Sequence, residues 1–313
     1  MGIKYYAERI GRFFKDSDIR FNYLCILGFY DHMSDEKFIR MKYKRLMHKE
    51  LNLDNPQTYN EKLQWLKLYD RNPLYTKLVD KYEVKKYVSD RIGEEHVVPI
   101  FGVYDNVDEI RLEDLPNQFV LKCTHDSGGF VICKDKESFD FESAKRLLAK
   151  RMKRNFYKFS REWPYKDVKP RIIAEKFMDS LGKPESIEYK LTCFGGKADL
   201  ITVCGGIAHS AFDKRTNDFY DRDFNHLPFY VFYKNPPKAL PVPKEIDKII
   251  EFSEKLSEGI PEVRVDWYIH DGVIYFGEMT FFTWGGFCVF TPEEWNRTLG
   301  DWIILPEKKK EEL

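Results

Sequence analysis

The feature that most constrains this chain is a pair of strand-like segments near its C-terminal end, both apolar apart from a few charged side chains. The first covers residues 263–269 (VRVDWYI) and the second residues 273–281 (VIYFGEMTF). Side chains alternate between the two faces of a strand, so Arg264 and Asp266 share a face of the first segment. Glu278 lies on one face of the second. A carboxylate in each of two mostly buried strands needs a compensating partner.

The turn between the two segments determines whether the acids meet. If the Asp-Gly pair at 271–272 forms a two-residue type I′ turn, Asp266 and Glu278 point to opposite faces. If His270 joins the pair in a three-residue loop, both acids share a face with Arg264. Two carboxylates with one arginine leave about one uncompensated negative charge, which a magnesium ion would neutralise. The alternative is an ion pair between Arg264 and Glu278, with Asp266 exposed.

Composition excludes several classes of function. The 313 residues contain 51 basic and 51 acidic side chains, so no net field favours nucleic acid or an anionic membrane. The six cysteines form no CxxC pair and lie mostly in apolar runs, which is typical of a reduced, cytoplasmic protein. The most apolar N-terminal stretch, residues 24–30, is shorter than the roughly 20 residues of a membrane span. We therefore expect no transmembrane segment.

Capping residues and apolar periodicity predict an α+β chain. Residues 1–55 are expected to be helical, and residues 156–170 to form a loop. Further helices are expected over residues 62–69, 75–92, 143–154 and 243–258. Strands are expected over residues 97–101, 119–124, 130–133, 171–177, 189–194 and 198–204.

A lysine followed by a glycine-rich loop is the clearest candidate for binding phosphate. Lys122 stands alone among apolar residues of a predicted strand, and Ser127, Gly128 and Gly129 follow it. Such a loop has no bulky side chains, so its backbone N–H groups can approach phosphate oxygens, and the lysine can neutralise them. The alternative is a flexible hairpin tip beside a solvated lysine.

Other segments carry weaker signals. The strand at 172–178 breaks into polar residues and can offer backbone groups to an adenine edge. Glu188 and Lys190 share one face of the next strand, where they can contact ribose and phosphate, or each other. Lys81 lies on a predicted helix. Residues 221–223 form a DxD, the pattern by which glycosyltransferases bind a metal and a nucleotide sugar.

Taken in chain order, these segments resemble the ATP-grasp superfamily, and more closely its TupA-like branch, named for teichuronopeptide biosynthesis. The resemblance covers about residues 50–305, and residues 263–266 and 275–280 are similar to the metal-binding segment of D-alanine:D-alanine ligases. The other matching segments are 58–62 (TYNEK), 68–73 (LYDRNP), 80–82 (DKY), 115–123 (LPNQFVLKC) and 174–177 (AEKF).

The resemblance implies an α+β ATP-grasp fold in which two α+β subdomains clamp ATP. The expected parts are a helical N-terminal region (1–55), a pre-ATP-grasp region (56–110), a lid subdomain (111–178), a catalytic subdomain (179–306) and a disordered tail (307–313).

The family pattern also implies a role for each candidate residue. The phosphate contacts are Lys81 and Lys122, and the mobile lid over them is Ser127, Gly128 and Gly129. The adenine contacts are Glu175, Lys176, Phe177 and Met178. The ribose contact is Glu188, where the branch usually has Asp.

The same pattern implies the catalytic groups. The magnesium ligands are Asp266, Glu278 and Thr280, the last a weaker neutral ligand where the family often has Asn. Arg264 would stabilise charge on an acyl phosphate or a tetrahedral intermediate. Lys190 or Lys197 would supply a further lysine. These roles require Asp266 and Glu278 to share a face, so we expect a three-residue loop at 270–272 or an equivalent bulge.

The implied function is an ATP- and Mg²⁺-dependent carboxylate-amine ligase that acts through an acyl phosphate. Its implied partners are an amine and a carboxylate, such as a uronic acid or an amino acid on a cell-surface polysaccharide, with peripheral association to polysaccharide machinery. The alternatives are a glycosyltransferase that uses Asp221 and Asp223, a kinase on the same scaffold, and a non-catalytic scaffold.

Overall fold

The computed structural model describes residues 16–178, 186–206 and 215–308. Its α-helices are α1 (Ser17–Ile26), α2 (Asp35–Met47), α3 (Tyr59–Tyr69), α4 (Leu74–Val79), α5 (Glu83–Ile92), α6 (Phe141–Met152), α7 (Tyr157–Ser160), α8 (Ile246–Ser257) and α9 (Glu294–Trp302). Its strands are β1 (Ile100–Tyr104), β2 (Phe119–Cys123), β3 (Phe130–Cys133), β4 (Ile172–Lys176), β5 (Glu188–Phe194), β6 (Lys197–Gly205), β7 (Thr216–Asp221), β8 (Tyr230–Val231), β9 (Glu262–His270), β10 (Val273–Thr280) and β11 (Phe290–Thr291). Residues 1–15 of the expected N-terminal region and 309–313 of the expected tail lie outside the described residues.

Helices α1 to α3 confirm the expected helical character of the chain before the sheets. The hydroxyl of Ser34 caps α2 by accepting a hydrogen bond from the Lys37 backbone N–H (3.4 Å). Helix α3 begins with a capping box, in which Thr58 and Glu61 bond to each other's backbone N–H groups. The apolar sides of these helices join the main hydrophobic core.

The helix expected over residues 75–92 is interrupted. Helix α4 ends at Val79 and α5 begins at Glu83, because the Asp80 carboxylate binds the Tyr82 backbone N–H (2.9 Å) and the Arg171 guanidinium (2.8 Å). Lys81 therefore lies in the break, and its placement on a helix was wrong. Its backbone N–H donates to the Thr124 carbonyl (3.1 Å), which ties this break to the end of β2.

Two further expectations need correction. The region expected to be a loop at 156–170 contains α7 and a 3-10 turn over Trp163–Tyr165. The strand expected at 97–101 begins at Ile100 instead, after a 3-10 turn over Glu94–His96. A short apolar run predicts neither the type of a secondary-structure element nor the residue at which it begins or ends.

A four-stranded antiparallel sheet contains the β2–β3 hairpin, with the strand order β1-β4-β2-β3. One face packs beneath α6 and contributes to a second apolar core, which includes Phe119, Leu121 and Ala174. Lys122, Phe130 and Ile173 are cross-strand neighbours on the opposite face. Phe130 is half exposed there while Ile173 is fully buried, so this face is open along its β3 edge.

A five-stranded antiparallel sheet has the order β10-β9-β5-β6-β7. Helix α8 packs against β5, β6 and β9, and the face beneath it is apolar, with Leu191, Val265 and Trp267 fully buried. The opposite face carries the polar residues of these strands. Each sheet thus has one apolar face beneath a helix and a second face with charged side chains.

Candidate active site

The polar face of the five-stranded sheet brings five charged residues together. Lys190 on β5 and Glu278 on β10 are both cross-strand neighbours of Asp266 on β9. The Lys190 ammonium lies 2.5 Å from Asp266 Oδ2 and 2.8 Å from Glu188 Oε2. Arg264 donates two hydrogen bonds to Asp266, from Nε (2.6 Å) and Nη2 (2.8 Å).

A β-bulge, rather than the turn, places Glu278 beside Asp266. The turn has only two residues, Asp271 and Gly272, both with positive φ (51° and 75°), and His270 pairs directly with Val273. The expected three-residue loop was therefore wrong. The register shifts between Phe276 and Glu278, which confirms the alternative expectation of an equivalent bulge.

Gly277 is the extra residue of this bulge, and the space around it explains the glycine. A Cβ at this position would lie 2.8 Å from Tyr268 Cε2 and 3.0 Å from the Asp266 carbonyl oxygen. Without the shift, Glu278 would pair with Val265 on the apolar face. The bulge thus moves one carboxylate from the core to the polar face.

The surrounding cations hold both acids in the ionised form. Asp266 is 1% exposed, and burial would raise its pKa, but Arg264 and Lys190 outweigh burial and lower it. The Glu278 side chain is 38% exposed, and its pKa is lowered because Lys81 and Arg264 outweigh burial and the negative charge of Asp266. The alternative of an exposed Asp266 was therefore wrong, since Glu278 is the more accessible acid.

Lys122 meets a second ionic cluster on the open face of the four-stranded sheet. Its ammonium lies 2.6 Å from Glu175 Oε2, and Lys85 on α5 lies 2.7 Å from Glu175 Oε1. Burial would raise the Glu175 pKa, yet the two lysines lower it to about 2. The Glu175 carboxylate, expected to contact adenine, is thus engaged by lysines. Lys85 was not among the residues expected from the sequence, although a buried acid in β4 requires such a partner.

The surface beside Lys122 is suited to a flat apolar group. Phe130 and Ile132 of β3 are 50% and 39% exposed on the same face. After Glu175 the chain continues through the exposed side chain of Lys176 to Phe177 and Met178, which are buried. An adenine ring on this face would cover apolar side chains that are otherwise in water.

The glycine-rich loop lies between the two clusters. Lys81 donates a hydrogen bond to the Asp126 carbonyl (3.2 Å) and lies 3.5 Å from Glu278 Oε2. Arg151 on α6 pairs with the buried Asp126 carboxylate (2.6 Å) and donates to the Ser127 carbonyl. Gly128 has a φ of +73°, and a Cβ there would lie 3.1 Å from the Arg151 guanidinium. Arg151 thus secures the loop, a role that the sequence did not indicate.

A cavity of about 840 Å³ is bordered by the charged groups of the five-stranded sheet, by Lys81 and by the start of the glycine-rich loop. Its charged and polar lining includes Lys81, Ser127, Glu188, Lys190, Arg264, Glu278 and Thr280. At the end formed by the N-terminal helices and the 156–165 segment it is lined by Lys42, Phe159, Ser160, Glu162 and Tyr165. Candidate residues from both halves of the sequence therefore border one space, whereas Lys122, Asp266, the 175–178 segment and the two glycines of the loop do not line it.

The DxD segment is used locally. The Asp221 carboxylate accepts hydrogen bonds from the backbone N–H groups of Asp223 (2.9 Å) and Asn225 (2.8 Å), and from the Asn225 amide (2.9 Å). In the described part of the chain, neither Asp221 nor Asp223 lines the cavity. This arrangement is typical of a turn rather than of a nucleotide-sugar site.

The acid cluster fits a magnesium ion that is shared with phosphates. Glu278 faces the cavity with loose contacts only, 3.5 Å to Lys81 and 3.5 Å to Arg264, while Thr280 donates to it at 3.2 Å. Both oxygens of Asp266 already bind cations. Among the described residues, no three His, Cys, Asp or Glu side chains form a ready metal site. Such a donor set suits Mg²⁺, which commonly takes one or two carboxylates together with substrate phosphates.

Comparison with known proteins gives one family match. A family model described as TupA-like ATPgrasp matches residues 61–304. This match confirms the expected membership and the α+β ATP-grasp fold. No curated protein matches, and no helix in the described ranges is long and apolar enough to cross a membrane.

Solved structures with a similar arrangement are distant. D-alanine–D-alanine ligase from Bacillus anthracis is 16% identical with a TM-score of 0.40, and the alignment covers 65% of this chain and 57% of that one. D-cycloserine synthetase DcsG is 14% identical with a TM-score of 0.43 and coverages of 74% and 71%. L-amino acid ligase from Bacillus licheniformis is 16% identical with a TM-score of 0.42 and coverages of 71% and 48%. The chain thus spans less than two thirds of the length of the first of these proteins.

Proposed function

Because this chain belongs to the TupA-like ATP-grasp family, we propose that it is an ATP- and Mg²⁺-dependent carboxylate-amine ligase. In this reaction a substrate carboxylate takes the γ-phosphoryl group of ATP, and an amine then attacks the acyl phosphate to form an amide. The observation that carries the proposal is the single cavity bordered by Lys81, Ser127, Arg264 and Glu278. Phosphoryl transfer requires chiefly positioning and charge neutralisation, and these residues can supply both.

The nucleotide is proposed to bind on the open face of the four-stranded sheet. Adenine would cover the exposed apolar residues of β3, with Lys176, Phe177 and Met178 along its edge. Lys81 and Lys122 would bind phosphate oxygens beneath the Ser127–Gly129 loop. Glu175 would act through Lys122, since it holds that ammonium 2.6 Å away. Glu188 would accept the ribose hydroxyls.

The polar face of the five-stranded sheet is proposed to carry out the transfer. Glu278 would be the main magnesium ligand, with Asp266 and Thr280 beside it, and the ion would neutralise charge on the transferring phosphoryl group. Arg264 lies on the same face, held by Asp266 at 2.6 Å, so its orientation is fixed before the substrate binds. Lys190 is held in the same way and would bind an anionic oxygen of the substrate. Both cations are thus preorganised.

The substrate class follows from the family alone. We propose that the carboxylate belongs to a cell-surface polysaccharide precursor, such as a uronic acid unit or an amino acid attached to a sugar. ATP as co-substrate assigns the reaction to the cytoplasm, with peripheral association to the polysaccharide machinery.

A screen for the acyl phosphate tests the proposal. The full chain is incubated with Mg²⁺-ATP, hydroxylamine and single carboxylates, beginning with glucuronate and L-glutamate, and ADP and hydroxamate are both measured. A ligase gives ADP and a hydroxamate with at least one acid, and Glu278→Gln abolishes both. A kinase gives ADP without hydroxamate. Binding of UDP-sugars without any response to ATP would favour the glycosyltransferase and contradict the proposal.

A further inference from the structure

Glu162 is a buried carboxylate at the end of the cavity remote from the glycine-rich loop. It is 5% exposed and lines the cavity, between α7 and the 3-10 turn over Trp163–Tyr165. Its one hydrogen-bond donor among the described side chains is the Ser160 hydroxyl, and no cation there forms a salt bridge with it. A buried carboxylate without a direct cationic partner is costly unless it serves a ligand.

Two buried lysines near Glu162 make their recorded hydrogen bonds to other groups. Lys67 donates to Gln64 Oε1 (3.0 Å) and to the carbonyls of Ser160 (3.0 Å) and Gly285 (2.5 Å). Lys42 donates to the Phe159 carbonyl (2.5 Å) and lies 3.9 Å from the centroid of the Phe159 ring. Both lysines act on Glu162 only at longer range, where they oppose the rise in its pKa that burial causes. The carboxylate therefore keeps lone pairs free for a donor in the cavity.

Tyr165 lies between Glu162 and the proposed reaction centre and feels the charges of both. The phenol of Tyr165, which lines the same cavity, has its pKa raised by burial and by the charges of Glu162 and Glu278. Tyr165 is thus close enough to interact with both Glu162 and Glu278. Glu162 itself is not part of the acid cluster around Asp266. A ligand bound at Glu162 can extend past this ring toward Arg264.

We propose that Glu162 binds the ammonium group of the amine substrate and accepts its first proton. This inference rests on the proposed ligase function and extends it to the second half-reaction. The family match begins at residue 61 and covers Glu162, whereas Lys42, which lines the same end of the cavity, lies outside it. The ligand class is a primary ammonium compound.

The ammonium gives one proton to the Glu162 carboxylate, and the nitrogen lone pair attacks the acyl carbon. The C–N bond forms while the bond between that carbon and the phosphate oxygen breaks, and phosphate leaves with the electron pair. The nitrogen loses a second proton to the departing phosphate, and Glu162 returns its proton to solvent.

The test compares a cationic amine with an uncharged nucleophile in Glu162→Gln. The acid that gives a hydroxamate in the wild type is used with Mg²⁺-ATP, and the nucleophile is hydroxylamine, L-glutamate or ethanolamine. A hydrogen bond between charged groups is lost only for the two ammonium compounds, so the KM for the accepted amine should rise at least tenfold. Hydroxylamine is largely uncharged at neutral pH, so hydroxamate formation should stay within about threefold of the wild type.

Glu262→Gln is the matched control. Glu262 is equally buried and accepts a 2.8 Å hydrogen bond from Tyr59, but it does not line the cavity. This variant should leave the KM for the amine unchanged. If Glu162→Gln does not fold, Glu162→Asp replaces it, because it keeps the charge and shortens the side chain by one methylene. The same selective rise in KM is expected.

Three results would overturn the inference. The first is a folded Glu162→Gln protein with an unchanged KM for the amine. The second is an equal loss of hydroxamate and amide formation, which would show that Glu162 acts in the first half-reaction or in the fold. In both cases the ligase function would stand. The third is a wild-type protein that forms no hydroxamate with any acid, which would overturn the proposed function and the inference with it.

Discussion

Replacing Gly277 with alanine tests the link between the β-bulge and the acid cluster. The new Cβ would lie 2.8 Å from Tyr268 Cε2 and 3.0 Å from the Asp266 carbonyl oxygen. The tyrosine ring can rotate away, but the carbonyl belongs to the ladder and cannot. Overpacking of this kind costs about 1–3 kcal/mol, and we expect about 2 kcal/mol here. The strand can relieve the contact only by shifting at the bulge, which displaces Glu278.

Two measurements follow from this substitution. Urea denaturation followed by circular dichroism gives the loss in unfolding free energy. Calorimetric titration with a non-hydrolysable ATP analogue, with and without Mg²⁺, gives the affinity, which should fall about tenfold with Mg²⁺ present. Gly272→Ala is the control, because its Cβ meets nothing within 4 Å and only its φ of +75° is unfavourable. That variant should lose about 1 kcal/mol of stability but no affinity.

If Gly277→Ala binds the Mg²⁺-nucleotide as tightly as the wild type does, the bulge does not position a ligand. Equal losses of affinity in both glycine variants would mean that general destabilisation, and not the place of Glu278, explains the effect.

Three further predictions concern buried charges. Glu175 has a pKa lowered to about 2 from 4.5, so its ion pairs stabilise the fold above pH 4.5 and are lost as the pH falls toward 2. Between pH 5 and pH 2.5, the free energy of unfolding should fall by about 2 kcal/mol less in Glu175→Gln than in the wild type. Glu262 has a pKa raised by burial to about 7, so its ionisation lowers the free energy of unfolding as the pH rises from 5 to 8. Glu262→Gln should remove up to about 3 kcal/mol of this decline in stability. An identical pH profile of stability in the variant and the wild type would refute the assignment. Lys122→Met removes a proposed phosphate contact and one of the two ion pairs of Glu175, so titration with the ATP analogue should show at least tenfold weaker binding together with a loss of part of the stability that these ion pairs provide. Unchanged affinity would contradict the role of Lys122.

The elements with strong local signals were predictable from the sequence. Caps at Ser34 and Thr58 mark helix starts that the structure confirms. Alternation in the 263–281 segments gave the correct faces for Arg264 and Asp266. The convergence of Lys81, Glu278 and Ser127 on one cavity was expected from the family resemblance and not from spacing, whereas Lys122 does not line that cavity.

The remaining features depend on contacts between segments far apart in the chain. The break at Asp80 needs Arg171, 91 residues later, and so no helical pattern shows it. The ion pair of Lys85 with Glu175 spans two elements in the same way. The bulge at Gly277 has a local signal, a glycine inside a strand, but an Asp-Gly turn favoured the other register. The reason for the glycine becomes visible only in the structure, where Tyr268 and the Asp266 carbonyl leave no space for a Cβ.

Binding of a Mg²⁺-nucleotide to the wild type and to Glu278→Gln tests the central claim most directly. Calorimetry with the non-hydrolysable ATP analogue should show binding to the wild type that strengthens at least tenfold when Mg²⁺ is added. In Glu278→Gln the analogue should still bind through the lysines and the open face of the four-stranded sheet, but the effect of Mg²⁺ should disappear. A wild type that does not bind the analogue, or a Mg²⁺ effect that persists in Glu278→Gln, would contradict the account.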